Sequence, residues 1–318
     1  MRLSARLRWL SYSWIIGLAL IGLSTLPTTA QGPTKQWDRS YGGSSGDYLT
    51  SVQPTADGGY ILGGHSESGI SSGKSQPCRG EADYWIIKVD SSGQKQWDRT
   101  FGGNKWDLLQ VVYQTADGGY ILGGYSDSGI SGDKTVPSQP SERDLFPTDY
   151  WIIKLDAAGT KEWDQAVGGS NTDLLQCLQQ TTDGGYLLGG YSYSEASGDK
   201  AEPSRGSSDW WVVKLDKQGR KQWDRTLGGE LQDGLSCLYQ TPEGGYLLGG
   251  TSRSTLAGDR TQPSRGSNDF WVVKLDAQGR TQWDRAYGGA MSDALTSLQP
   301  TLDGGFILGG WSESAASG

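Results

Sequence analysis

The chain has 318 residues, including 49 glycines, 14 tryptophans, 3 cysteines and a single histidine, and carries a formal net charge of −8. An acidic chain repels phosphate backbones, which argues against a nucleic-acid partner, and one histidine supplies neither a histidine-based metal cluster nor a Cys–His pair. Abundant Gly, Ser and Thr with heavy tryptophan usage predicts frequent turns, aromatic packing and little helix.

The first thirty residues read as a secretory signal peptide. Arg2, Arg6 and Arg8 form a positive start, an apolar stretch runs from about Trp14 to Leu26, and Thr28, Thr29 and Ala30 precede a cut at Gln31. An uncleaved anchor is the competing reading, but Ser11, Ser13 and Pro27 leave the stretch short of the ~20 apolar residues of a clean span. Loss of the three arginines takes the net charge from −8 to −11. No stable membrane span is expected after cleavage, and the chain is expected to be secreted, in the periplasm or at the cell surface.

Residues 31–318 are filled by five copies of one unit. QWDRS (36–40), QWDRT (96–100), EWDQA (162–166), QWDRT (222–226) and QWDRA (282–286) recur at steps of 60, 66, 60 and 60 residues, a period that signifies repeat architecture. In the second copy, residues 108–114 are apolar on both faces and predict a buried strand. Residues 116–119 (Ala-Asp-Gly-Gly) form a tight turn, because Asp-Gly between apolar runs supplies the positive φ that a hairpin requires. Residues 120–126 and the aromatic, β-branched residues 150–155 give the second and third strands. After the turn 156–159, residues 161–167 give the fourth.

One four-stranded sheet cannot bury two apolar faces alone, so neighbouring copies must cover them. The reading is an all-β β-propeller of four-stranded antiparallel blades, with five repeats, the last incomplete, and with ring closure by the N-terminal strand. An open β-solenoid is the competing arrangement. The fifth copy has no counterpart of Tyr-Trp-Ile-Ile-Lys, which raises the alternative of a piece of a longer array.

The stretch WIIKLDAAGTKEWDQAVGGSNTDLLQCLQQTTDGGYLLGGYS (151–192) resembles the bacterial secreted β-propeller repeats known as SBBP repeats, and the likeness extends over all five copies. It implies an extracytoplasmic, multi-repeat protein and no particular activity, and by analogy it implies that the strand after Gly-Gly-x-x-x-Asp is innermost and the W-D-R strand outermost, so that residues 36–41 would complete the last blade and remove a sheet edge. The phrase VDSSGQKQW (89–97) is similar, more weakly, to the tryptophan-docking phrase of quinoprotein-like propeller repeats, which implies blade packing.

The loops divide into two kinds. Short turns occupy one face of the ring, whereas the opposite face collects the inter-blade links and the long segments 66–83, 126–149, 192–209 and 252–269. The last three share S/A-G-D-[KR]-x-x-P. Loops of this length are often functional. One reading makes the inter-blade Asp47, Asp107, Asp173, Asp233 and Asp293 ligand-binding groups, with Ca²⁺ at Asp133, Asp199 and Asp259, since hard cations take several oxygens. The other reading is that each Asp caps a turn through backbone amides. Most tryptophans fall at regular places in strands and read as packing. Trp106 and Trp311 break the pattern and are the better ligand candidates.

Cys177 and Cys237 fall at equivalent places and read as small core residues. A literal G-x-S-x-G at residues 42–46 lacks the strand-to-helix context of a nucleophile elbow. The functional expectation is a non-catalytic binding or scaffold module at the cell envelope, needing no cofactor unless Ca²⁺, with a protein or glycan partner met by the long loops. The alternative is a glycan-processing or quinone-dependent propeller enzyme.

Overall fold

The computed structural model describes residues 35–139 and 147–315. The expected signal segment lies outside the described residues. Among these, every regular element is a β-strand, and no helix is long and apolar enough to cross a membrane.

Among the described residues eighteen strands form five antiparallel sheets in chain order. The first sheet contains β1 (Asp47–Pro54), β2 (Tyr60–Ser66), β3 (Asp83–Val89) and β4 (Lys95–Phe101). The second contains β5 (Asp107–Gln114), β6 (Tyr120–Ser126), β7 (Asp149–Leu155) and β8 (Lys161–Val167). The third contains β9 (Asp173–Gln180), β10 (Tyr186–Ser192), β11 (Asp209–Leu215) and β12 (Lys221–Leu227). The fourth contains β13 (Asp233–Gln240), β14 (Tyr246–Ser252), β15 (Asp269–Leu275) and β16 (Thr281–Tyr287). The fifth has two strands, β17 (Asp293–Pro300) and β18 (Phe306–Ser312). This is the expected propeller architecture, with the first strand of every blade lining a common central cavity.

Local chemistry explains the turns. Gly118 adopts φ +86°, while Asp117 accepts hydrogen bonds from the Gly119 amide at 3.0 Å and the Thr115 hydroxyl at 2.5 Å. In the second turn Asp156 accepts from the amides of Ala158 and Thr160, and Gly159 adopts φ +78°. Three of the four third strands, β3, β7 and β11, are buried along their entire length, and in β15 only Phe270 is half-buried, as strands covered on both faces require.

Blades join through large side chains set over glycine. Leu175 and Leu178 of β9 stand over Gly123 of β6, where an added Cβ would come within 2.9 Å of the Leu178 side chain. At the rim the Trp97 ring lies on Gly159 of the next blade and meets Tyr120 edge-on at 5.6 Å. The tryptophans of the repeat thus pack between blades, as their spacing predicts. Within a blade, Asp164 accepts from the Trp151 indole at 3.1 Å, from the Thr135 amide at 2.9 Å and from Lys161 at 2.8 Å, tying outer strand, third strand and long loop together.

The closing strand is not observed. Residues 37–41 join no ladder, and the first and last sheets make no contact with each other. Instead Trp37 packs on Tyr60 and on Gly93 of the first blade, its indole N–H donating to the Ser91 carbonyl. The physical reason lies in register: this segment has the place of a fourth strand, and among the described residues the fifth sheet has no third strand for it to pair with.

Leu175 is wholly buried at a junction, so Leu175→Ala is expected to cost about 2–5 kcal/mol in chemical denaturation. Leu302→Ala, at an exposed turn, should stay within about 0.5 kcal/mol of the parent.

Candidate functional site

Two regions concentrate polar side chains: the knots between blades on the long-loop face, and the central cavity. Each knot is built around a Gly-Gly pair. At the third blade, Asp173 accepts from the Gly169 amide at 2.7 Å and from the Ser194 hydroxyl at 3.1 Å. Asp107 and Asp233 repeat this with Gly103 and Ser128, and with Gly229 and Ser254. Asp47 and Asp293 hold the Gly43 and Gly289 amides. The five inter-blade aspartates are thereby engaged in capping, each at its own blade. Asp47 and Asp233 also border clefts of about 260 and 270 Å³.

The loop aspartates stand beside these knots. Asp133 accepts from the Gly102 amide and pairs with Arg79 at 3.0 Å, Asp259 pairs with Arg205 at 2.7 Å, and Asp199 accepts from the Gly168 amide. They occupy three successive junctions rather than one ring. Among the described residues no group of three or more His, Cys, Asp or Glu is arranged to hold a metal ion. Arginine already neutralises two of the three carboxylates proposed for calcium. Trp106, 40% exposed, lies on the link before β5, and Trp311, 50% exposed, lies in β18, so the two stand on separate blades.

Sequence reasoning missed a second carboxylate at four of the five knots, the Asp83, Asp149, Asp209 or Asp269 that opens the preceding blade's third strand. Asp149 accepts from the Gln139 amide at 2.6 Å, while its Oδ1 is buried without a hydrogen-bond partner among the described residues. Burial, reinforced by the charge of Asp173, pushes the Asp149 carboxyl up to about 7. Burial likewise lifts Asp107, Asp173 and Asp209 to about 6. It missed as well that the cation of S/A-G-D-[KR] is buried. Lys134 donates to the Ser128 carbonyl at 2.7 Å, and Arg260 pairs with Asp269 at 2.5 Å, folding the long loops onto the blades.

The central cavity measures about 760 Å³ and is lined by the inner strands alone. Every inner strand carries a β-bulge, and the extra residue is Thr50, Gln110, Gln176, Ser236 or Thr296. A bulge re-aims a side chain, and all five of these residues line the cavity. Gln53, Gln179 and Gln299 add amides, Tyr113 and Tyr239 add phenols, and no Asp, Glu, Lys, Arg or His is among the lining residues. Cys177 and Cys237 also border it as free thiols, and burial raises both well above the ordinary thiol value.

No described protein family matches the sequence. The chain is similar to the regulatory protein FlaEY of Caulobacter vibrioides, 24% identical over 231 residues, which cover 70% of this chain and 24% of that protein. The chain thus spans about a quarter of that relative's length. Among solved structures it is similar to a protein of unknown function from Dyadobacter fermentans, at 10% identity, covering 82% of this chain and 74% of that one, with a TM-score of 0.41. It is also similar to an apocarotenoid oxygenase from Synechocystis, at 13% identity, covering 81% of this chain and 54% of that one, with a TM-score of 0.42.

A carboxyl whose folded pKa is raised stabilises the fold below its unfolded value of about 3.9 and loses that contribution as pH rises through the folded value. Stability is therefore expected to fall between about pH 4 and pH 7 on account of Asp149 and Asp209. His65, held down by burial, acts in the opposite sense, so the decisive readout is the difference between parent and variant. Asp149→Asn should flatten the decline in urea titrations run across this range, and an unchanged slope would refute a buried ionising Asp149.

Proposed function

We propose that the protein is an extracytoplasmic, non-catalytic binding module that takes an uncharged polar ligand, a glycan or an extended protein segment at the cell surface, into its central cavity from the long-loop face. The observation that carries this reading is the bulge in every inner strand, which turns one neutral hydrogen-bonding residue per blade toward the same space.

Amides and hydroxyls serve as both donors and acceptors, which matches the alternating hydroxyls of a sugar or the amides of a peptide. A charged ligand would find no counter-ion on these walls. Trp106 adds an aromatic surface for stacking on the long-loop face. Repetition of one residue class around the axis supports binding more than catalysis, which needs acids or nucleophiles peculiar to one place. The Arg-rich, apolar start of the sequence supports export, as does the likeness to secreted propeller repeats.

The test is a glycan array followed by calorimetry on the exported chain. Gln176→Ala is expected to weaken the best ligand about tenfold, equivalent to ~1.4 kcal/mol for a lost hydrogen bond to the ligand. Equal affinity of parent and variant would remove the cavity from the binding site, and conversion of the ligand during the titration would favour an enzyme.

A further inference from the structure

Near the axis the junction between the third and fourth sheets packs like its neighbours, with Leu235 and Leu238 as knobs over the Gly189 socket. On the long-loop side it departs from them. The second residue of the inner strand and its cross-strand partner are both large in the second and third sheets, Leu108 with Tyr125 and Leu174 with Tyr191. In the fourth sheet the same pair is Gly234 with Thr251. Apart from its chain neighbours, nothing among the described residues lies within 4 Å of where a Gly234 Cβ would stand. Two facing side chains are cut back together, and both positions line a cleft of about 270 Å³.

The walls of this cleft are distinctive as well. On its floor Ser208 and Asp233 are wholly buried, and the Ser208 hydroxyl has no hydrogen-bond partner among the described residues. Asp233 uses Oδ2 for the Gly229 amide and the Ser254 hydroxyl. At the rim stands Arg253, which is exposed and forms no ion pair among the described residues. Its counterparts are Glu67, Asp127, Tyr193 and Glu313, so the cation is peculiar to this junction. None of Gly234, Thr251 and Arg253 takes part in the knob-and-socket contact, so these departures from the repeat are free of that constraint.

We propose that this cleft binds one acidic sugar unit, its carboxylate paired with Arg253 at the rim and its hydroxyls bonded to Ser208, Asp233 and the bulged Gln176 and Ser236. A guanidinium without an acid partner matches a carboxylate in a two-pronged pair. The floor supplies a carboxylate that accepts from ring hydroxyls and a serine that both accepts and donates. A simple anion would satisfy the arginine and leave the buried serine unpaired, which is costly. The cleft is smaller than the ~300–1,000 Å³ of sites for drug-sized ligands, which suits a single ring. It shares Gln176 and Ser236 with the central cavity, yet its own residues hold the unit whether or not the cavity takes a ligand.

An NMR chemical-shift titration of the exported chain with glucuronate, galacturonate, glucose, acetate and inorganic phosphate tests the proposal. One of the uronates is expected to shift the amides of Gly234 and Thr251, with glucose, acetate and phosphate binding about tenfold more weakly because each meets only half of the site. Arg253→Gln should lower the uronate to the level of glucose and leave glucose unchanged. Gly234→Leu and Thr251→Tyr, each tested alone, should abolish binding of both. These two substitutions place residues that the neighbouring sheets carry, so melting curves should match the parent's. The proposal is overturned when neither uronate shifts these amides, or when uronate affinity survives Gly234→Leu and Thr251→Tyr. Equal affinity for glucose, acetate or phosphate overturns it too, by reducing the cleft to a general hydroxyl or anion site.

Discussion

The absence of a side chain at one position of each second strand governs how these sheets assemble. Gly63, Gly123, Gly189 and Gly249 leave room for two apolar side chains from the following blade, and any Cβ there would collide with them. Glycine inside a strand costs conformational entropy and contributes no packing of its own. The cost is offset because the neighbour's leucine and valine side chains enter the vacated space and are themselves buried there. A second pairing at the rim, tryptophan on the left-handed glycine of the next blade's turn, repeats the device farther from the axis. Two such contacts at different radii fix the angle between sheets, which one contact could not.

Within each blade the corresponding constraint is the carboxylate of the W-D pair. Asp98, Asp164, Asp224 and Asp284 are buried, and each receives the indole N–H of the third-strand tryptophan together with an amide from the long loop. A buried carboxylate persists only when its lone pairs are satisfied, so it holds strand and loop in a fixed relation. The long loops are therefore anchored elements, clamped from one side by this aspartate and from the other by the buried Lys134, Lys200 or Arg260. Their length serves a wrapped path over the blade, which accounts for the recurrence of one motif in three of them.

The repeat, the four strands per unit and the turns were legible because each follows from local chemistry: Asp-Gly needs a positive φ, and apolar spacing sets the strands. The order of strands from axis to rim came only from the likeness to secreted propeller repeats, since short turns fix a meander and not which of its edge strands faces the axis. The bulges were not legible, because an extra residue in Leu49-Thr50-Ser51 or Leu175-Gln176-Cys177 is defined by the partner strand's register and leaves no mark on its own strand. Nor was the third-strand carboxylate, since Asp149 meets Asp173 only after two sheets pack. In S-G-D-[KR] attention falls on the aspartate, as a metal ligand or a cap. The basic residue after it looks like a solvated loop cation, and only the path of the loop shows that it is the anchor. Residues 36–41 carry the pattern of an outer strand, but a pattern alone does not pair, and residues 37–41 join no ladder.

The same division separates what the repeats hold constant from what they leave free. Leucine knobs, glycine sockets and W-D carboxylates are held by packing or by buried hydrogen bonds, so substitution there acts on the fold. The bulged residue is not fixed by core packing, although Thr50 donates its hydroxyl to the Leu109 carbonyl at 2.9 Å, and it is one place where the copies differ: Thr50, Gln110, Gln176, Ser236 and Thr296 present two chain lengths and two hydrogen-bonding groups around one cavity. The longer glutamines fall on adjacent blades, the second and third, which makes the wall of a nominally symmetric cavity uneven. A regular scaffold can in this way carry an asymmetric recognition surface, since the backbone determines where five side chains point while their identities set which ligand they fit.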